Sequence, residues 1–177
     1  MLTLLLGGAR SGKSALALQL ASTGAAPVIV LATGEASDDE MGAMIALHRS
    51  QRPASWATVE EPVEVEKAFR DIADGTTVVV DCLTLWVANL LTAGYDDDAA
   101  VATAGVVAAL CAERPGRALV VSNEVGSGIV PTDNFLSRRY RDLLGRVNIA
   151  FADRAEHAFL VVAGRVLPLL PAKIALR

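Results

Sequence analysis

Residues Gly7 to Ser14 constrain this chain more than any other stretch. A short apolar run, Leu2–Leu6, feeds directly into Gly7-x-x-x-x-Gly12-Lys13-Ser14, and Ala15–Ala21 continues with strong helix formers. A strand that turns into a helix through this spacing is the phosphate-binding loop in the context it requires. Its two glycines free backbone N–H groups to wrap a polyphosphate, and the helix N-terminus adds its positive end. Lys13 brings a mobile charge and Ser14 a hydroxyl for Mg²⁺. The plainer alternative is a glycine-rich turn that binds nothing. It requires two fixed glycines and a Lys-Ser pair to coincide by chance between a strand and a helix.

The rest of the chain repeats the strand–helix alternation. Pro27–Ala32 reads as a second buried strand ending at Thr33-Gly34, and Asp38-Asp39-Glu40 opens a helix that runs from Met41 to about Gln51 before Pro53. Met41, Met44, Ile45 and His48 fall on one side of that helix. Trp56–Val59 reads as a short edge strand, Val63–Ile72 as a helix stopping at Asp74-Gly75, and Thr76–Asp81 as a central strand with an acid at its C-terminal end. Leu83–Leu91 is helical. Tyr95–Asp98 is a solvated turn capping the Ala-rich helix Ala99–Ala112, with its three aspartates on the surface only. Arg117–Ser122 is the next strand, followed by the loop Asn123–Pro131, whose shape two glycines and a proline fix. A long helix, Phe135–Ala155, carries Arg138, Arg139, Arg141, Arg146 and Arg154. Ala158–Val162 and Arg165–Leu169 flank Ala163-Gly164 as a hairpin. The expected fold is α/β: a doubly wound, mostly parallel sheet of P-loop (RecA-like) type with an antiparallel edge strand at the C-terminus.

At 177 residues the chain suits one such domain, residues 1–177, and is short for two. Its apolar residues come in runs too short for a membrane helix, and Leu2–Leu6 is too brief and lacks a basic flank for a signal peptide, which points to the cytoplasm. Cys82 and Cys111 have no metal-ligand spacing and read as small buried hydrophobes in a reducing compartment. A formal charge of −4 gives no global attraction for nucleic acid or an anionic membrane, so local groups must hold any anionic ligand.

In a sheet of this kind ligands bind beyond the carboxyl ends of the strands. Those ends carry the phosphate loop, Thr33 with Gly34, Asp81, and Asn123 with Glu124. Asp81 suits the second acidic element of nucleotide-loop proteins, holding Mg²⁺ beside Ser14; it equally suits a cap on the following helix. Glu124 suits a metal or hydroxyl contact, or a loop carboxylate satisfying backbone N–H groups. His48 is one of two histidines. A helix-end histidine is favoured by the macrodipole without any chemistry, and His157 merits only such a plain reading. Arg49 and Arg52, however, lie within a turn of His48 and are suited to bidentate contact with phosphate oxygens.

Taken in order, Gly7-Gly-Ala-Arg-Ser-Gly-Lys-Ser14, Asp38-Asp-Glu-Met41, His48-Arg-x-x-Arg-Pro53-x-x-Trp56, Asp81-Cys-Leu-Thr-Leu-Trp86, Asn123-Glu-Val-Gly-x-Gly-Ile-Val-Pro131 and Arg139-Tyr-Arg-Asp142-x-x-Gly145-x-x-Asn148 span nearly the whole chain. The set resembles the bifunctional adenosylcobinamide kinase/adenosylcobinamide-phosphate guanylyltransferase family. That resemblance implies phosphorylation of the aminopropanol hydroxyl of adenosylcobinamide by ATP or GTP, then guanylylation of adenosylcobinamide phosphate by GTP. It places the guanylylated histidine at His48, with Lys13 beside it in catalysis. Nucleotide contacts fall on Gly7, Gly8, Ala9, Arg10, Ser11, Gly12, Lys13 and Ser14, on Ala32, Thr33 and Gly34, on Arg49, Ser50, Gln51 and Arg52, and on Glu60 and Asp81. The metal ligands remain Ser14 and Asp81 as read from the loop and the strand end, and the resemblance implies a homotrimer with sites at subunit interfaces. One departure stands out: this chain has Asn148-Ile149 where similar proteins usually show Asn-Gln.

Two other readings compete. A phosphate-loop kinase of another small alcohol would phosphorylate without guanylyl transfer, His48 being structural. A RecA-like nucleotide-gated ATPase would respond to DNA, which the acidic balance and the lack of a basic stripe with aromatics argue against.

Overall fold

The computed structural model describes residues 1–36, 38–128 and 134–172. Among the described residues thirteen elements follow one another: β1 (Leu2–Gly7), α1 (Lys13–Ala21), β2 (Val28–Ala32), α2 (Asp39–Ser50), β3 (Ala57–Glu60), α3 (Val65–Arg70), β4 (Thr77–Asp81), α4 (Leu83–Thr92), α5 (Asp97–Glu113), β5 (Ala118–Asn123), α6 (Phe135–Ala152), β6 (His157–Val162) and β7 (Arg165–Pro168). The seven strands form one sheet in the order β3-β2-β4-β5-β1-β6-β7. Every pairing is parallel except β6 with β7, the hairpin at the C-terminal edge.

The central strands are apolar on both faces because both faces are covered. Leu4, Val78, Val80 and Val120 point to one side, and Leu5, Val79, Leu119 and Val121 to the other. The layers are unequal. Helices α3, α4, α5 and α6 pack on the first side, whereas α1 alone sends buried residues, Ala17 and Ala21, into the second. Trp86 anchors the thicker layer: it is fully buried and its indole N–H donates to the Val63 carbonyl at 2.9 Å. Cutting such a buried, hydrogen-bonded ring back to alanine costs about 3–5 kcal/mol of stability.

Several boundaries differ from the sequence expectation for local reasons. Helix α3 is shorter than Val63–Ile72 because the Glu61 carboxylate accepts from the amides of Val63 and Glu64, holding a turn ahead of the helix. Helix α6 ends at Ala152 rather than Ala155, where the Arg154 and Ala155 amides switch to carbonyls three residues back. The Tyr95–Asp98 turn caps the Ala-rich helix as expected, but two of its aspartates do more than decorate the surface. Asp96 caps α5 through the Ala99 amide, while Asp97 and Asp98 pair with Arg139 and Arg146 of α6, each at 2.7 Å, tying the two helices together. Met44, on the side of α2 that also carries Met41, Ile45 and His48, is 46% exposed. Pro131, with Ile129 and Val130 of the same loop, lies outside the described residues.

Candidate active site

Strand register sets the row of functional groups. Ala32 pairs with Glu60 on one side and Asp81 on the other, and Asp81 pairs with Val121 of β5, whose Asn123 pairs with Gly7. The ends of five parallel strands therefore present Glu60, Ala32, Asp81, Asn123 and Gly7 along one edge of the sheet.

The phosphate loop leaves β1 at Gly7, where nothing larger fits: a β-carbon there would lie 2.5 Å from the Val161 carbonyl oxygen and 2.6 Å from Ser11 Oγ. Gly12, at φ 97°, opens α1 in the left-handed region that glycine alone occupies at little cost. No side chain caps α1 and no acidic residue sits in its first turn. Its N-terminal N–H groups are thus left to an incoming anion. Ser11 Oγ is buried without a hydrogen-bond partner, which adds an unspent donor beneath the loop. Lys13 Nζ bridges to the Gly8 carbonyl at 3.0 Å. Burial holds its ammonium below the ordinary value, opposed by the neighbouring Cys82 and Asp81.

Opposite the loop stands α2. Asp38 caps it through the Met41 amide at 2.7 Å, Asp39 and Glu40 occupy its first turn, and His48 and Arg49 its last, so its charges complement the macrodipole at both ends. Asp81 Oδ2 lies 3.6 Å from both His48 Nδ1 and Arg52 Nη2. At that length these are charge contacts rather than formed hydrogen bonds. The Asp81 contact holds the imidazole above its ordinary value, against partial burial and the charges of Arg52 and Lys13. Burial pulls the guanidinium of Arg52 below its ordinary value, and Asp81 opposes that shift. Arg52 also donates to Thr58 Oγ1 at 3.3 Å. Arg49 pairs with Glu60. Beside this pair a cavity of about 550 Å³ is walled by Arg49, Arg52, Pro53, Ala54, Trp56, Thr58 and Glu60. An aromatic wall, two guanidiniums and a carboxylate suit a flat base carrying hydrogen-bond donors, attached to a phosphate.

Asp81 is not the cap of α4: Cys82 takes that position and no side chain caps it. Its carboxylate faces the site instead. The oxygens of Ser14 and Asp81 fit a hard divalent cation in kind. Among the described residues no group of three or more His, Cys, Asp or Glu side chains stands ready to hold a metal, so Mg²⁺ there would draw its remaining ligands from phosphate oxygens and water.

The remaining candidates are placed as follows. Thr33 is fully buried, its hydroxyl donating to the Cys82 carbonyl at 2.7 Å and accepting from the Cys82 amide at 3.0 Å. Gly34 allows α2 and α4 to approach: its added β-carbon would lie 3.2 Å from Leu85 Cδ1 and 3.3 Å from Ile45 Cδ1. Ser50 is exposed and bonds back to Leu47, and Gln51 is the exposed C-terminal cap of α2. Glu124 accepts from the Gly126 and Ser127 amides at 2.9 and 3.0 Å, the plainer of its two readings. His157 is exposed beside Glu156 at the start of β6. Asn148 accepts from Ser122 Oγ at 2.6 Å and donates to the Asn123 carbonyl at 3.0 Å, whereas Ile149 is 62% exposed.

Three positioning residues escaped the sequence reading. Thr58 holds Arg52, Thr84 Oγ1 accepts from the Asn123 amide at 2.9 Å, and Asn89 donates to the carbonyls of Thr33 at 2.7 Å and Pro62 at 3.0 Å. Asn89 was discoverable: an amide inside the otherwise apolar run Leu85–Leu91 marks a buried bond to be made.

Comparison with known families matches residues 3–169 to cobinamide kinase / cobinamide phosphate guanyltransferase. The bifunctional adenosylcobalamin biosynthesis protein CobP of Pseudomonas aeruginosa is 46% identical over 171 residues, covering 96% of this chain and 97% of that protein. The bifunctional adenosylcobalamin biosynthesis proteins CobU of Salmonella typhimurium and Escherichia coli are 40% and 39% identical, each over 93% of this chain and 97% of their own length.

Proposed function

The chain belongs to the cobinamide kinase / cobinamide phosphate guanyltransferase family, and on that premise we propose that one phosphate loop serves both reactions while His48 carries the guanylyl group. The protein is an enzyme of adenosylcobalamin biosynthesis, a cobinamide kinase and cobinamide-phosphate guanylyltransferase. The observation that carries the finer reading is the meeting of Lys13, His48 and Arg52 around the Asp81 carboxylate.

In the kinase step the loop amides and Lys13 hold the triphosphate of ATP or GTP, and the aminopropanol hydroxyl of adenosylcobinamide attacks the γ-phosphorus. Ser14 and Asp81 would hold Mg²⁺ beside the loop, and the ion would supply charge neutralisation there. In the guanylyl step His48 attacks the α-phosphorus of GTP. The contact of Nδ1 with Asp81 leaves Nε2 as the attacking nitrogen. The bond from the α-phosphorus to the bridging oxygen breaks, and pyrophosphate leaves against Lys13 and the loop amides, which stabilise its growing charge. The resulting phosphoramidate is opened by a phosphate oxygen of adenosylcobinamide phosphate, which returns the imidazole and yields adenosylcobinamide-GDP. Arg49 and Arg52 steady the guanylyl phosphate, and Glu60 with Trp56 receives the base.

Two further points belong to this reading. Val162, Val166, Leu167 and Leu170 on and after the C-terminal hairpin are each at least half exposed, which supports a homotrimer covering that edge. Among the described residues no helix is long and apolar enough to cross a membrane; the nucleotide substrates favour the cytoplasm.

Incubation with α-labelled and γ-labelled GTP, with and without cobinamide, tests the whole. The α-label should enter the protein without cobinamide, and the γ-label should pass to cobinamide. A protein that never takes the α-label would sink the covalent route, and γ-transfer alone would leave a simple kinase.

A further inference from the structure

One residue of the phosphate loop sits in a backbone conformation that its side chain disfavours. Gly8 to Ser11 form a tight turn closed by the Ser11 amide donating to the Gly8 carbonyl at 3.3 Å, and Arg10, third in that turn, has φ 56°. Positive φ at the third position, with none at Ala9 before it, is the type II pattern, which favours glycine or asparagine there. A β-carbon at that angle crowds the following carbonyl. Strain of this kind gathers at ligand clamps, where surrounding structure imposes it.

The side chain at this strained position is exposed, and among the described residues no hydrogen bond or ion pair holds it. The other two arginines at the site differ: Arg49 is set against Glu60 and Arg52 against Asp81. Lys13 is also tied down, through the Gly8 carbonyl. Arg10 therefore offers a guanidinium with its donors unspent, three residues ahead of Lys13 on the loop that receives the triphosphate.

We infer that Arg10 is a catalytic residue of the kinase step, placing its guanidinium on the γ-phosphoryl oxygens during transfer. This rests on the phosphorylation described above and goes further by giving the kinase step, beside the shared Lys13, a cation on which guanylyl transfer depends little. As the acceptor hydroxyl oxygen bonds to the γ-phosphorus, the bond to the nucleoside diphosphate breaks with its electron pair on the diphosphate, and the hydroxyl proton is released to solvent. Charge spreads over the γ-phosphoryl oxygens and the bridging oxygen, where a planar two-pronged donor fits. In guanylyl transfer the reacting centre is the α-phosphorus, and the γ-phosphate departs inside pyrophosphate. Arg10 then acts only at the remote end of the leaving group.

Arg10→Gly removes the guanidinium and the strained β-carbon together, which separates a chemical role from a structural one. The expected variant melts at or above the parent Tm, keeps its KM for GTP within about threefold and loses about a thousandfold in kcat for cobinamide phosphorylation, the usual scale for such an arginine. Its α-label uptake should fall less than tenfold. Arg10→Lys, which keeps charge without the fork, should recover only part of the kinase rate. Kinase turnover within about threefold of the parent in Arg10→Gly would overturn the inference. So would a parallel loss of both activities or a lowered Tm, each of which would make Arg10 a loop-shaping residue. A parent protein that phosphorylates no cobinamide would overturn the proposed function and this inference with it, whereas an active parent with an unaffected Arg10→Gly variant would overturn this inference alone.

Discussion

The phosphate loop and helix α2 face each other across Asp81, and they are built in opposite ways. The loop springs from β1, whose Leu2, Leu4 and Leu5 are buried, and runs into α1, whose Ala17 and Ala21 are in the core. Its shape is dictated by backbone contact, since Gly7 has no room for a β-carbon. Helix α2 contributes no buried residue at all. What fastens it is its Asp38 cap, Ile45 against Gly34, and the charge contacts of His48, Arg49 and Arg52 with Asp81 and Glu60. A loop held by the core is preorganised for the triphosphate whichever reaction follows. A helix held by exchangeable charges carries groups that one reaction needs and the other does not. Under the proposed function, loss of the loop charge that holds the triphosphate in both reactions, Lys13, should therefore spread to both activities, and damage to α2 should stay with one; Arg10 is the exception on the loop, since its guanidinium acts at the γ-phosphate.

The largest effect is expected at Lys13. Removing its charge in Lys13→Ala should cost both activities about a thousandfold or more, since both place triphosphate oxygens in the same loop. Folding should persist, because the side chain is only half-buried. Kinase turnover near the parental rate in the folded variant would break the idea of a shared loop.

Asp81 sits between the regions and tests the boundary. In Asp81→Asn an amide still accepts hydrogen bonds but no longer balances a divalent cation, so the Mg²⁺ concentration for half-maximal kinase rate should rise roughly tenfold or more, with nucleotide affinity changed less. An unchanged Mg²⁺ requirement would leave Asp81 as the partner of Arg52 and His48 alone.

Arg52→Ala should produce a smaller, one-sided loss. A hydrogen bond to a charged group is worth about 1.5–3 kcal/mol, so guanylyl transfer should fall roughly ten- to hundredfold, with phosphorylation within about threefold of the parent. Equal losses in the two assays would erase the distinction between loop and helix.

The contrast also explains how much was legible in the sequence. Gly7, Gly12, Lys13 and Ser14 announce themselves because one short stretch supplies both the strand–helix context and the chemistry. The continuous apolar strands read correctly because both sheet faces are covered. Asp81 was placed at a strand end by the same logic, but whether it capped α4 or faced the site depended on Cys82 taking the cap position. The position of His48 depended on more distant matters: the length of α2, the approach allowed by Gly34, and the register that puts Ala32 beside Asp81. Asn89 leaves a trace in the apolar run around it, whereas Thr84 acts through a bond to Asn123, 39 residues on, of which short-range spacing carries little. Asp97 and Asp98 misled for the same reason, their partners lying on α6.

The most direct test of a guanylyl group carried by α2 and a triphosphate held by the loop is the fate of the α-label in His48→Ala. The parent should take up label from α-labelled GTP in an acid-labile, alkali-stable form that maps to the peptide containing His48, as a phosphoramidate would. The variant should take up none and transfer no guanylyl group, while phosphorylating cobinamide within about threefold of the parental rate, since that step makes no use of the imidazole. Label uptake by His48→Ala at the parental rate, or label mapping to another peptide, would contradict the account.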